Sequence, residues 1–117
     1  MILVATRSIS LREGLLALLA AITPGQTIAL VGSTTEVPQQ LSESPADLVV
    51  LDTDLLDMST GMVVRQIKQV SPVTRLLLLT DTVQQQRAMS QFEAEAVLLK
   101  GTPAAEIAIT IERLLDV

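Results

Sequence analysis

Three side chains that could handle a phosphoryl group each follow a short apolar run: Asp52, Thr80 and Lys100. A carboxylate, a hydroxyl and an ammonium within reach of one another can accept, orient and neutralise such a group. Taken singly, Asp52 could turn a loop, and Thr80 could end a strand through its hydroxyl. Lys100 precedes a predicted helix, where a cation meets the unfavourable end of the helix dipole, so a nearby anion would explain it.

The composition removes most other catalytic options. The 117 residues include no histidine and no cysteine, which excludes Ser-His and Cys-His nucleophile pairs, imidazole or thiolate metal sites and disulfides. The net charge is −5 and Phe92 is the sole aromatic residue. The chain therefore lacks the basic surface and the stacking platform of a nucleic-acid-binding domain.

Acidic residues concentrate in one stretch of the sequence. Asp47, Asp52, Asp54 and Asp57 fall within residues 47–57. A solvated acidic loop is the simpler interpretation of such a run. Its position in the fold decides whether it does more.

Strand and helix patterns alternate along the chain. Five apolar runs without polar alternation, at residues 2–5, 28–31, 48–51, 76–79 and 96–99, are typical of strands buried on both faces. The first helical stripe ends at Pro24-Gly25; it starts with a capping box at Ser10 and Glu13, or two residues earlier at Ser8. Further helices are predicted near residues 36–42, 60–70 and 83–92, and after Thr102-Pro103, a cap and a first-turn proline.

This alternation predicts one domain over residues 1–117, with a flavodoxin-like (βα)5 fold and a parallel sheet in strand order 2-1-3-4-5. Sites in such sheets form beyond the carboxyl ends of the strands. We therefore expect Asp52, Thr80 and Lys100 around one cleft, with Thr6 and Arg7 as its other wall.

The chain resembles the receiver domain of two-component response regulators, especially those of LuxR-type transcription factors. The resemblance covers the whole chain and rests on four segments: residues 12–15 (REGL), 47–52 (DLVVLD), 74–80 (TRLLLLT) and 98–103 (LLKGTP). It implies that Asp52 accepts phosphate from a histidine kinase or a small phosphodonor. It also implies that Lys100 pairs with the phosphoryl oxygens and that Thr80 is the switch hydroxyl, acting on the face of helix 4, strand 5 and helix 5.

The sequence departs from this family at the metal site. Thr6 and Arg7 occupy the positions of the two acidic residues that hold magnesium, which needs oxygen ligands. We expect no cofactor, or at most a weak magnesium site through Asp52, with Asp54 and Asp57 as possible replacement carboxylates. The loop after Asp52 lacks the usual proline and is one residue longer, and Val97 replaces the switch aromatic.

Three functional hypotheses follow. The first is a degenerate, non-enzymatic receiver in which Arg7 takes the electrostatic role of the metal and pairs with Asp52, Asp54 or Asp57. The second keeps Asp52 as a metal-independent phosphoacceptor, with Arg7 and Lys100 binding the phosphoryl anion. The third is a small nucleotide-binding or enzymatic module on the same fold, although the sequence contains no glycine-rich phosphate loop.

Partners and location are predicted from what remains. No apolar run approaches the ~20 residues of a membrane span, and no signal peptide fits, so we predict a cytoplasmic protein. Leu16 and Ile109, off the core stripes of helices 1 and 5, suggest a homodimer; the face of helix 4, strand 5 and helix 5 is the alternative. The chain stops at Val117, where the last helix should end, so we expect a stand-alone receiver or a domain separated from a DNA-binding helix-turn-helix.

Overall fold

A computed structural model describes residues 1–55 and 59–116. Within them, strands and α-helices alternate along the chain. The strands are β1 (Ile2–Ala5), β2 (Ile28–Val31), β3 (Leu48–Asp52), β4 (Arg75–Thr80) and β5 (Ala96–Leu99). The helices are α1 (Ile9–Ile22), α2 (Glu36–Glu43), α3 (Thr60–Val70), α4 (Val83–Met89) and α5 (Ala104–Leu115), and Thr53–Leu55 form a 3-10 turn after β3.

The sheet has the predicted topology. All its strands are parallel, in the order β2-β1-β3-β4-β5. One apolar cluster joins a sheet face to α1 and α5, and a second joins the other face to α2 and α3. Every residue of β1 and β3 is buried because helices cover both faces, which is why their apolar runs do not alternate with polar residues. The flavodoxin-like (βα)5 prediction is confirmed.

Strands β3 and β4 both run further than their apolar runs. Asp52 pairs in register with Leu79, and Thr80 is the last residue of β4. The backbone ladder continues through both polar residues because the neighbouring strands still offer partners there. Asp52 and Thr80 are therefore held by the sheet itself and not by the loops that follow it.

Three helix ends differ from the sequence prediction. Ser8 caps α1, with its Oγ accepting from the Leu11 amide at 3.3 Å, so the earlier start is correct and the capping box at Ser10 is wrong. Pro103 is the residue before α5 and not its first turn. α4 ends at Met89, short of residue 92, because its residues are all exposed or half-buried and its glutamine-rich sequence offers little apolar packing.

Phe92 lies beyond α4, in the turn that leads to β5. The side chain is half-buried and packs against the apolar cluster on the α2 and α3 side of the sheet. A Cβ placed on Gly61 of α3 would stand 2.9 Å from the Phe92 ring. Phe92 therefore contributes to the core, although the helix predicted near residues 83–92 ends before it.

Candidate functional site

Asp52 is a buried carboxylate with hydrogen-bond donors on both oxygens. Its side chain is 4% exposed and lies at the carboxyl end of β3. Oδ2 accepts from Thr6 Oγ1 at 2.7 Å, and Oδ1 accepts from the Asp54 amide at 2.9 Å. Lys100 Nζ stands 2.6 Å from Oδ1. These donors stabilise the ionised carboxylate in a place that water hardly reaches.

Lys100 joins the ends of three strands. It follows β5, and its amide donates to the carbonyl of Thr80 at 2.8 Å. Besides Asp52, its ammonium contacts Asp54 Oδ2 at 2.6 Å and Asp81 Oδ1 at 3.1 Å. We refer to Lys100, Asp52, Asp54 and Asp81 as the Lys100 network. One ammonium thereby connects the loops after β3 and β4 to the end of β5.

The network shifts the pKa values of two of its members. Burial alone would lower the pKa of Lys100, but hydrogen bonds from its ammonium to the three carboxylates raise that pKa above its ordinary value. The pKa of Asp54 is lowered, chiefly by its hydrogen bond from Lys100. Both groups are held in their charged forms at neutral pH.

Thr6 has a defined hydrogen-bonding direction. Its Oγ1 accepts from the Ser8 amide at 3.0 Å and donates to Asp52 at 2.7 Å. Since the amide can only donate, the hydroxyl proton is free to point at the carboxylate. Thr6 stands where the resemblance to receiver domains predicts an acidic residue. It therefore supplies Asp52 with a neutral hydrogen-bond donor in place of a negative charge.

Arg7 does not take the predicted role. Its Nε donates to the carbonyl of Gly32 at 3.0 Å, and among residues 1–55 and 59–116 it forms no ion pair with Asp52 or Asp54. Because the Arg7 guanidinium is directed to the Gly32 carbonyl, the expected pairing is wrong for these two carboxylates. Asp57, the third predicted partner, lies outside the described residues.

Thr80 directly precedes Asp81 of the Lys100 network, but it does not line the cleft. The side chain is fully buried, and its Oγ1 lies 3.4 Å from the carbonyl oxygen of Leu98 and 3.5 Å from that of Thr82. The expectation that it would line the cleft with Asp52 is wrong in this structure, because the hydroxyl is directed toward the neighbouring backbone.

The predicted cleft is present at this edge of the sheet, with a volume of about 640 Å³. Its charged lining consists of two cations and three carboxylates: Arg7, Lys100, Asp52, Asp54 and Asp81. Ser8, Ser10, Leu11 and Leu55 complete the wall. The topology thus brings together most of the predicted residues.

Among the described residues, the donor set does not fit a magnesium ion. The Lys100 ammonium occupies the space between Asp52 and Asp54, 2.6 Å from an oxygen of each, where a bridging cation would have to sit. Thr6 supplies a hydroxyl that donates a hydrogen bond to Asp52, where a metal site would need a further oxygen ligand. Across the described ranges, no group of three or more acidic side chains is arranged to hold a metal.

Asp81 is the member of the network that sequence reasoning passed over. Its side chain is 42% exposed, and its amide donates to Gln85 Oε1 at 3.0 Å. The signal was available, since Asp81 directly follows Thr80 at the carboxyl end of β4. The sequence alone does not show that the Asp81 side chain reaches Lys100.

The fold matches solved structures of signal receiver domains. A response regulator receiver domain protein from Clostridium thermocellum is 23% identical, with TM-score 0.81 and coverage of 98% of this chain and 93% of that one. The receiver domain of a DNA-binding response regulator (merR) from Colwellia psychrerythraea 34H is 18% identical, with TM-score 0.85 and coverage of 99% of this chain and 98% of that one. The receiver domain of an HD domain-containing protein from Pseudomonas fluorescens Pf-5 is 23% identical, with TM-score 0.84 and coverage of 98% of this chain and 85% of that one.

These likenesses establish the fold. No protein-family model matches the sequence, and neither does any curated protein. Among the helices in the described part of the chain, none is both long and apolar enough to span a membrane.

Proposed function

We propose that this chain is a degenerate signalling receiver that acts by binding partner proteins, with no phosphorylation of Asp52. The observation that carries the proposal is the occupation of both Asp52 oxygens, by Thr6 on one and by Lys100 and the Asp54 amide on the other. An attacking carboxylate needs an accessible lone pair, and this side chain is 4% exposed.

The charge around Asp52 supports the same proposal. Asp54 and Asp81 flank Lys100, so an incoming phosphoryl group meets two further negative charges near the ammonium that would have to stabilise it. A nucleotide is disfavoured by the same balance, because the cleft wall carries more carboxylates than cations.

The deciding experiment is labelling with a small phosphodonor, with and without magnesium, followed by intact-mass measurement. We expect no aspartyl phosphate under either condition. The control Asp52→Asn should behave identically. Ready, magnesium-dependent labelling that disappears in Asp52→Asn would exclude the proposal.

One observation favours a second candidate, the metal-independent phosphoacceptor. Lys100 Nζ already stands 2.6 Å from Asp52 Oδ1, and Arg7 lines the same cleft, so two cations are available without a metal. This candidate predicts labelling that survives a chelator and is lost in Asp52→Asn. Loss of the label with the chelator would count against it.

The partner predictions belong to this proposal as well. A histidine kinase or another signalling protein, and a DNA-binding domain whose output this domain controls, remain the expected partners of a cytoplasmic receiver. A homodimer could form through α1 and α5, where two apolar side chains remain accessible. Ile109 is 55% exposed, and Leu16 is half-buried. Sedimentation of Leu16→Glu and Ile109→Glu tests that face, and an unchanged mass in both variants would remove it.

A further inference from the structure

β2 is an edge of the sheet with part of its backbone open. It pairs with β1, and the chain's described residues place no strand on its other side. The carbonyl of Thr27 accepts from the Ile2 amide of β1, and that of Val31 accepts from the amide of Thr6, just after β1. Because backbone groups of successive strand residues point to opposite sides, those of Ile28 and Leu30 point away from β1.

Other backbone groups at the two edges of the sheet already have hydrogen-bond partners. At Gly32, just after β2, the amide donates to Glu36 Oε2 at 3.0 Å and the carbonyl accepts from Arg7 Nε at 3.0 Å. At the opposite edge, α4 lies against β5, and Gln86 Nε2 donates to the carbonyl of Val97 at 2.9 Å. Ile28 and Leu30 carry neither a charge nor a proline, the usual devices that block an open edge.

The two faces beside this edge differ in charge. Residues 14–35, which include most of α1 and all of β2, contain no charged side chain. Leu30 is 42% exposed. On the other face, a groove between β2 and α2 is lined by Val31, Gln39, Gln40 and two acidic residues, Glu36 and Glu43.

We propose that β2 binds an extended segment of a partner protein in which apolar residues alternate with lysine or arginine. Such a segment would add one strand to the sheet, with main-chain hydrogen bonds to Ile28 and Leu30. Its side chains would alternate between the faces, apolar ones toward the uncharged α1 side and basic ones toward Glu36 and Glu43. No residue of the Lys100 network takes part.

The charge of the chain selects this occupant over a second copy. Pairing β2 with itself would bring Glu36 and Glu43 of two molecules, each of net charge −5, onto one face. A basic, extended segment gains from the same charges. Self-association through β2 is therefore an outcome that the experiment must be able to detect.

The test uses the whole chain and a short synthetic peptide in which valine and lysine alternate. Fluorescence anisotropy should show binding, and amide shifts in ¹⁵N spectra should concentrate at Ile28 and Leu30. The same peptide, N-methylated on the face that would meet β2, should bind about tenfold or more weakly because it cannot donate to the strand. A peptide alternating valine and glutamate should not bind.

Two pairs of variants make the result specific. Glu43→Gln should weaken binding by about twofold to fivefold, while Glu93→Gln, at an exposed position just before β5 at the opposite edge of the sheet, should not. Leu30→Lys should weaken binding, while Val73→Lys, at a side chain 79% exposed, should leave it unchanged.

Several outcomes would overturn the proposal. They are absence of binding at millimolar peptide, equal binding of the methylated peptide, or shifts centred on the Lys100 network. A dimer in sedimentation that Leu30→Lys dissociates would assign the edge to a second copy instead.

Discussion

At the residue scale, Asp52 is a carboxylate whose side chain is only 4% exposed to solvent. A buried carboxylate without partners is strongly unfavourable. Here Thr6, Lys100 and the Asp54 amide all donate to it. Thr6 therefore has a structural role of its own, since an acidic residue in its place would repel Asp52 unless a cation lay between them.

Replacing Thr6 by the isosteric valine tests this role. Thr6→Val removes the hydrogen bond to the charged Asp52 and the acceptor of the Ser8 amide, and we expect the free energy of unfolding to fall by about 1.5–3 kcal/mol. Urea unfolding followed by circular dichroism measures the change. The control Thr110→Val, at a half-buried position of α5 whose hydroxyl bonds only the Glu106 carbonyl of its own helix, should stay within about 0.5 kcal/mol.

Removing the Lys100 charge should have a larger effect, which depends on Asp52. Lys100→Met leaves the buried carboxylate without its counter-charge, so we expect a loss of about 3–5 kcal/mol. Adding Asp52→Asn to the same chain should recover much of that loss. If the two substitutions were additive in a double-mutant cycle, Lys100 would not be the counter-charge of Asp52.

At the element scale, the sequence was enough to locate the strands but not to predict where every polar side chain of the site points. Uninterrupted apolar runs located all five strands because both faces of the sheet are covered. Parallel topology then brought Asp52 and Lys100 to one edge. The direction of Arg7 could not be read this way, because a long side chain selects among acceptors that only the assembled loops present, here the carbonyl of Gly32.

The contact between α3 and the turn after α4 gives an element-scale prediction. A methyl group on Gly61 would stand 2.9 Å from the Phe92 ring, so the ring must move. Gly61→Ala should lower the free energy of unfolding by about 1 kcal/mol, since overpacking of about 1–3 kcal/mol exceeds the gain in helix propensity. Urea unfolding in the Phe92→Leu background is the control; an undiminished loss there would place the clash elsewhere.

At the scale of the whole molecule, β3 separates acidic residues that look clustered in the sequence. Asp47 precedes the strand and accepts from the Met1 amino group at 2.9 Å, whereas Asp52 and Asp54 lie at the opposite end. Five residues of strand put Asp47 about 16 Å from Asp52. The acidic stretch is therefore not one loop, and the charge of the cleft depends also on Asp81, which follows β4.

The pH dependence of stability follows from the Lys100 network. The folded-state pKa of Asp54 is lowered, chiefly by Lys100, so its contribution is complete above the unfolded pKa and is lost as pH falls through the folded value. The folded-state pKa of Lys100 is raised by its carboxylate partners despite burial; its contribution is complete below the unfolded pKa and is lost as pH rises through the folded value. We expect a stability plateau between about pH 5 and 9, with losses on both sides.

Asp54→Asn isolates the acid limb of this profile. The substitution removes a carboxylate that is ionised in the folded state and protonates more readily in the unfolded one, so the loss of stability below about pH 4 should become shallower. Urea midpoints at neutral and acid pH measure the slope, and Glu93→Gln should leave it as in the wild type. An unchanged acid slope in Asp54→Asn would mean that other carboxylates, such as Asp47 with its lowered pKa, govern acid unfolding and that the Lys100 network contributes little to it.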